Sequence, residues 1–246
     1  FYRWFNSHCS CFIMIARIFD FEKGEMLLID KPQNWTSFDV VKKLRYAIKV
    51  KKIGHAGTLD PLATGLLIIC TGKFTKKIDE YQGMSKTYEG VIEIGKTTPS
   101  YDLETEFDSE LGYAGVSVNE IENAAKLQTG EFDQIPPIFS AIKVNGKRAY
   151  KSARNNEDLK MKPRPVAIEK FELTKMVLPE VHFKIVCSKG TYIRSMAHDL
   201  GVQLGCGAYL KFLRRTAIGS YSVDDAYELQ NFISEVQQET REIDTD

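Results

Sequence analysis

The chain predicts an α+β fold: a mixed, mostly antiparallel sheet flanked by helices. Three observations carry this. Lys86 to Ile94 alternates as a half-buried strand does, with Tyr88, Gly90, Ile92 and Ile94 on one side and Thr87, Glu89, Val91 and Glu93 on the other. Thr36-Ser37-Phe38-Asp39 and Ser117-Val118-Asn119-Glu120 have the spacing of capping boxes, which start helices. Strands and helices then mix without the regular βαβ beat of a parallel sheet.

The elements follow in order. Met26 to Asp30 is a short apolar strand ended by Lys31-Pro32. Val40, Val41, Leu44, Ala47 and Ile48 continue from the first capping box at helical spacing. Gly54 to Gly65 is a turn rich in glycine, threonine and proline, and the run from Leu66 to Cys70 is a buried strand. Gly72 to Lys77 opens a short helix, and the helix capped by Ser117 ends near Gly130. Gln134 to Pro165 is a long basic connection containing Pro136, Pro137, Pro163 and Pro165, and connections of that length in a compact domain are functional or disordered. Val166 to Val177 and Val181 to Cys187 are strands. Ser188 to Thr191 turns into a helix from Tyr192 to Leu204. Ala208 to Arg215 follows, then a strand and a last amphipathic helix from Asp225 to Val236.

With 246 residues, 43% hydrophobic and 27% charged, the chain suits one large domain or a core with a small accessory one. Lys+Arg 33 balance Asp+Glu 33, so net charge points to no partner, but the charge is segregated. Gln134 to Pro165 holds eight basic residues against two acidic ones, while Asp224 to Asp246 holds eight acidic against one basic. A neutral chain can in this way present a basic surface to phosphate, although a charge run taken alone is usually a solvated loop. The five cysteines show no Cys-x-x-Cys pair or zinc spacing, so neither disulfides nor a metal site is expected, and a reducing cytoplasm fits. Cys70 and Cys187 lie in apolar runs and read as buried small hydrophobes. Phe12 to Ile15 is too short an apolar stretch for a signal peptide or membrane span. Residues 1–25 are expected to be an extension, partly non-native or disordered, with Met14 as the native start.

Chemistry concentrates in Gly54-His55-Ala56-Gly57-Thr58-Leu59-Asp60-Pro61-Leu62-Ala63-Thr64-Gly65. An Asp-Pro alone is a turn device. Here the carboxylate sits on a tight turn beside a buried strand, where a reactive group is held rigidly. Further along stand Lys31-Pro32 with Thr36-Ser37, Lys86-Thr87-Tyr88, Gln134 to Ala141, Ser188 to Arg194, and Ala208 to Thr216. In this order and spacing they closely resemble the TruB family of tRNA pseudouridine synthases, from about Met26 to about Tyr221. RNA-guided dyskerin-type synthases are the nearest alternative for the Gly-His-Ala-Gly-Thr-Leu-Asp-Pro element.

The resemblance implies the pseudouridine synthase fold, with a central RNA-binding cleft and a thumb-like basic insertion at about 131–165. The catalytic domain would run over 26–233, followed by an acidic tail at 234–246 and no PUA domain. It implies isomerisation of the TΨC-loop uridine, uridine-55, without cofactor, metal or guide RNA, by a cytoplasmic monomer acting on the tRNA T-arm. Asp60 matches the essential aspartate, suited to attack at C1′ or C6 or to stabilise positive charge on the sugar. A stacked uridine must be extruded to be reached, and the flipped base needs an aromatic face. Tyr88 matches the stacking tyrosine, and His55 the histidine that fills the space left behind. Tyr192 matches a second pocket tyrosine, Arg194 the arginine paired with the carboxylate, and Leu213 a leucine whose backbone meets the uracil edge. Lys31 and Pro32 would support the catalytic turn. Lys143, Lys147, Arg148, Lys151 and Arg154 would meet phosphates, adding affinity rather than sequence information. Asn34 replaces the family's usual glycine in its turn, which an asparagine in the left-handed region preserves. An RNA binder that has lost catalysis would need no such carboxylate facing RNA. An aspartyl hydrolase would need metal-binding carboxylates near Asp60, and none lie nearby in sequence.

Overall fold

The computed structural model describes residues 19–140, 142–144, 146–149 and 159–243. In chain order the strands are β1 (Met26–Lys31), β2 (Ile53–Ala56), β3 (Thr64–Thr71), β4 (Lys86–Ile94), β5 (Lys96–Thr97), β6 (Ser109–Glu110), β7 (Gly130–Gln134), β8 (Lys143–Val144), β9 (Lys147–Arg148), β10 (Arg164–Val177), β11 (Glu180–Cys187), β12 (Ala208–Ile218), β13 (Tyr221–Ser222) and β14 (Tyr227–Glu228). The helices are α1 (Ser37–Ala47), α2 (Ile78–Gly83), α3 (Val118–Leu127), α4 (Ile193–Gln203) and α5 (Leu229–Ile243).

One sheet runs β14-β1-β3-β12-β4-β11-β10-β7, with β2 beside β3 and β13 beside β12. Neighbours pair antiparallel except β1 with β14 and β3 with β12. The β3–β12 ladder is short: Thr64 faces Arg214 and Gly65 faces Arg215. The sheet's two halves meet there, and the turn carrying Asp60 opens from it. Gly65 has φ 104°, and a Cβ on it would lie 2.3 Å from the Arg215 carbonyl oxygen, so only glycine lets the strands join.

Burial follows from what covers each half. Leu67 and Ile69 of β3 pack with Leu44 of α1 and Phe232 of α5, while Leu66, Ile68 and Cys70 pack with Tyr81 and Ile218 on the opposite face. A strand covered on both faces reads as a continuous apolar run, which is why Leu66 to Cys70 does not alternate. In the other half, Ile92, Phe183 and Ile185 pack against Met196 and Leu200 of α4 and Ile121 of α3. Each such side chain contributes roughly 1.5–3 kcal/mol by leaving water. The opposite face of these strands carries charge, including the Lys184–Glu89 pair at 3.0 Å and Lys211 at 2.7 Å from both Glu93 and Glu180.

Both capping boxes form, on α1 and α3, with the reciprocal Asp39 and Glu120 contacts. Asn34 takes φ 65°, as its turn requires. Four readings change. The glycine-rich turn is shorter, because Ile53–Ala56 pairs with β3 as a strand and carries His55. Ala208 to Ile218 is one continuous strand, since it must span both β3 and β4. The last helix starts at Leu229 rather than Asp225, because Tyr227 and Glu228 pair with β1, and it continues to Ile243 through the stretch read as an acidic tail. The N-terminal extension is packed from Phe19 onward, where Phe19 and Phe21 stack at 5.2 Å and meet the Phe232 ring at 5.7 and 6.4 Å. Residues 1–18, including Met14, lie outside the described residues. No described helix is long and apolar enough to cross a membrane.

Candidate active site

Asp60 lies on the turn between β2 and β3, and that turn is hung from α1. Lys31, wholly buried, donates from Nζ to the carbonyls of Pro32 (2.9 Å), Trp35 (2.6 Å) and Pro61 (3.3 Å). Burial pushes its amine down to about 8, and Asp60 is the leading influence in the other direction. Asn34 N–H donates to Pro61 O at 2.8 Å, and Ser37 Oγ accepts from Leu59 N–H at 2.9 Å. The supporting role expected of Lys31 and Pro32 is therefore met by backbone carbonyls on both sides of the turn.

Arg194, 3% exposed at the start of α4, reaches Asp60 from the other half of the sheet. Its Nε is 2.9 Å from Asp60 Oδ2 and 3.5 Å from Asp102 Oδ2. These are charge contacts, since the Nε–H is not aligned for a hydrogen bond to either. Nη1 donates to Ser100 O at 3.0 Å and Nη2 to Phe139 O at 2.9 Å. Burial by itself would lower the guanidinium pKa, and Asp60 and then Asp102 reverse that, raising it. Burial raises Asp102, with Arg194 working against it.

A cavity of about 800 Å³ opens beside Asp60, lined also by Tyr88, Tyr192, Arg194 and Leu213. That is ample for an extruded nucleoside. Tyr88 is buried on β4, and burial raises its phenol although Arg215 opposes this. Burial also raises Tyr192, followed by the charge of Asp60. Both phenols are thus neutral at neutral pH. Five of the sequence-assigned residues come together here. His55 does not line this cavity: it sits on β2 opposite Ile69, its Nδ1 buried and unpartnered, its pKa lowered by burial and then by Arg215. In the β8–β9 ladder Lys143 pairs with Arg148, and Val144 with Lys147. Lys151 and Arg154 lie outside the described residues. A shallower groove of about 510 Å³ between β7 and β10 adjoins the cavity.

Sequence reasoning placed Arg215, Lys86 and Gln134 in its motif stretches without giving them a role, and did not single out Asp102. Arg215, 1% exposed, donates from Nε to Leu66 O (2.8 Å) and from Nη2 to Gly57 O (3.1 Å), tying β12 to the turn that carries Asp60. Lys86 donates to Gln82 O and Met84 O, both at 2.6 Å, and burial pushes its amine down to about 8. Period-two alternation was the usable signal: Lys86 shares a face with Tyr88, and Arg215 with Leu213. Gln134 exchanges hydrogen bonds with the Tyr192 backbone, accepting from N–H at 2.8 Å and donating to the carbonyl at 3.1 Å. It pins the N-cap residue of α4, whose own side chain makes no capping bond. Nothing local marks Asp102 among the acids of its loop. Cys70, Cys187 and Cys206 are free and buried. Among the described residues, no group of three or more His, Cys, Asp or Glu could hold a metal ion.

The family described as TruB family pseudouridylate synthase (N terminal domain) matches residues 45–193, and that described as tRNA pseudouridylate synthase B C-terminal domain matches residues 194–245. The chain is 51% identical over 225 residues to a tRNA pseudouridine synthase B of Flavobacterium johnsoniae, covering 89% of this chain and 98% of that one. It is 46% identical over 230 residues to a tRNA pseudouridine synthase B of Bacteroides fragilis, covering 91% and 99%. Among solved structures, a chain of a Cbf5-Nop10-Gar1 complex aligns with TM-score 0.68 and 26% identity, covering 87% of this chain and 54% of that one.

Proposed function

The chain belongs to the TruB family and is a tRNA pseudouridine(55) synthase, an isomerase, and from that premise we propose that Asp60 is its essential catalytic group. The reaction breaks the bond from C1′ to N1, turns the uracil, joins C1′ to C5, releases the C5 proton and leaves N1 protonated. It is an isomerisation balanced in atoms and electrons, so its chemistry calls for no redox partner or group donor. What it needs is a carboxylate beside the sugar, a pocket for the extruded base and a base for the C5 proton.

One observation carries the proposal: Asp60 stands at the edge of the roughly 800 Å³ cavity, its Oδ2 engaged by the buried Arg194 at 2.9 Å, with 41% of its side chain exposed. The ion pair fixes the carboxylate's direction, and orientation of this kind supplies much of an enzyme's rate. Attack at C1′, attack at C6 and glycal formation would each use this carboxylate. Tyr88 would offer its ring to the extruded uracil, Tyr192 would wall the pocket beside Asp60, and the Leu213 backbone would meet the uracil edge. His55, one strand away and kept neutral by burial, would occupy the gap left in the RNA loop rather than transfer protons. The protein would act as a monomer in the cytoplasm, on the T-arm and without guide RNA. The names of its near full-length relatives support tRNA as the substrate.

Tritium release from tRNA labelled at C5 of uridine tests it. Wild type is expected to release tritium from unmodified tRNA, and Asp60→Asn to release none while still binding tRNA. Equal release by the two proteins would remove Asp60 from this role.

A further inference from the structure

The loop 98–108 brings two groups to Arg194, the Ser100 carbonyl at 3.0 Å from Nη1 and the Asp102 carboxylate at 3.5 Å from Nε. Tyr101 stands between them with φ 64°, in the left-handed region that a bulky side chain seldom occupies. The turn is closed by its own bonds. Tyr101 N–H donates to Thr98 O at 3.1 Å, and the hydroxyls of Thr98 and Ser100 donate to Asp102 O at 2.7 and 3.0 Å. On the sheet side, Leu210 N–H donates to Tyr101 O at 2.8 Å, on the strand that carries Leu213.

The Tyr101 ring lies flat on His198, with centroids 3.9 Å apart and planes at 13°. His198 follows Arg194 on α4 at i+4, so the two side chains share one helix face. The loop is thus held to α4 at two successive turns, by charge at the first and by a ring stack at the second. Burial lowers the His198 pKa, Asp108 opposing, so the stack is between neutral rings.

We propose that the Tyr101–His198 stack is a positioning device for the active-site charge network: it holds the left-handed turn that sets Ser100 O and Asp102 against Arg194, and so governs how Arg194 is shared between Asp102 and Asp60. Both are positioning residues, acting through Asp102 and Arg194. Without the ring, Tyr101 loses the contact that keeps it in a disfavoured conformation, and the turn is free to relax toward negative φ. Asp102 and the Ser100 carbonyl move with it, and Arg194 reorients toward Asp60. The inference rests on the reading of Asp60 as the essential carboxylate.

Three variants test it: His198→Ala, Tyr101→Ala, which has no ring and keeps the penalty at positive φ, and His198→Phe, which keeps the stack. Single-turnover pseudouridine formation with enzyme in excess is measured beside tRNA affinity. The expected result is a loss of about 10- to 100-fold in rate for the first two, as for small displacements of a catalytic constellation, with affinity unchanged. His198→Phe should restore the rate, and His198→Ala should cost nothing further in an Asp102→Ala background. Wild-type rates in both ring-removing variants would overturn the inference. So would losses that multiply with Asp102→Ala, or a fall in tRNA affinity matching the fall in rate, which marks a structural role. Wild-type activity with Asp60→Asn silent holds the Asp60 reading whatever these variants do.

Discussion

Arg194 faces two carboxylates of different character, Asp60 with 41% of its side chain exposed and Asp102 with 7%. Removing one partner of a buried ion pair typically costs about 3–5 kcal/mol, because the remaining charge is left uncompensated. Asp102 therefore lets Arg194 stay charged in the core, while Asp60 remains the partner open to the cavity. Next to His198, Asp199 is partly buried without such a partner: its carboxyl is pushed up to about 6 by burial. The sign follows. The folded protein holds this proton more tightly than the unfolded chain, so the stabilisation is full below pH 3.8 and is lost as pH rises through 6. Asp199→Asn keeps it at every pH. Because the group is partly solvated, screening reduces the full shift to about 1 kcal/mol, roughly 2–4 °C of Tm above pH 6. Thermal melts at pH 8 and pH 5 check this, and a gain that does not shrink at the lower pH contradicts it. At this scale Asp60, Tyr88, Tyr192, Arg194 and Leu213 were legible because each sits in a recognisable motif. Asp102 was not, since its role depends only on which cation the loop meets.

Elements decide how sharply these groups are held. The β3–β12 junction is two residue pairs long, and it is where Arg215 reaches back to Leu66 O and Gly57 O. Gly65→Ala would place a Cβ against the Arg215 backbone at a φ that disfavours it, at a cost of at least ~2 kcal/mol. A Tm drop of at least about 4 °C is expected, with a loss of activity larger than the stability change alone explains. An unshifted melt would show that the strands can separate without consequence. The capping boxes of α1 and α3 were readable because they are local, with both partners within four residues. The bracing at the start of α4 was not legible, because the group that supplies it is Gln134, 58 residues away. For the same reason Leu229 could not be told from Asp225 as the start of α5: pairing of Tyr227 and Glu228 with β1 decides it.

Across the whole molecule, charge is balanced but unevenly placed, with eight basic residues between Gln134 and Pro165. If that segment meets tRNA phosphates, replacing Lys147, Arg148 and Lys151 together with alanine should weaken binding and reduce the salt slope of log K by about 2. Binding isotherms over a range of salt test this, and an unchanged slope places these residues away from the RNA. The cavity itself is a product of the whole fold. Asp60 comes from the half built on β1, β3 and α1, while Tyr88, Tyr192 and Leu213 come from the half built on β4, β11, β12 and α4. Read from the sequence alone, the resemblance of its motifs pointed to the family and the reaction class, and local chemistry determined the alternating strands and the capped helices, because turn chemistry, capping and period-two burial act over a few residues. Tertiary structure alone decided that Arg194 is shared with Asp102, that Arg215 and Gln134 brace the site, and that Tyr101 rests on His198. Each of these is a contact between residues far apart in the chain, and only the closed sheet brings their partners within hydrogen-bond or stacking distance.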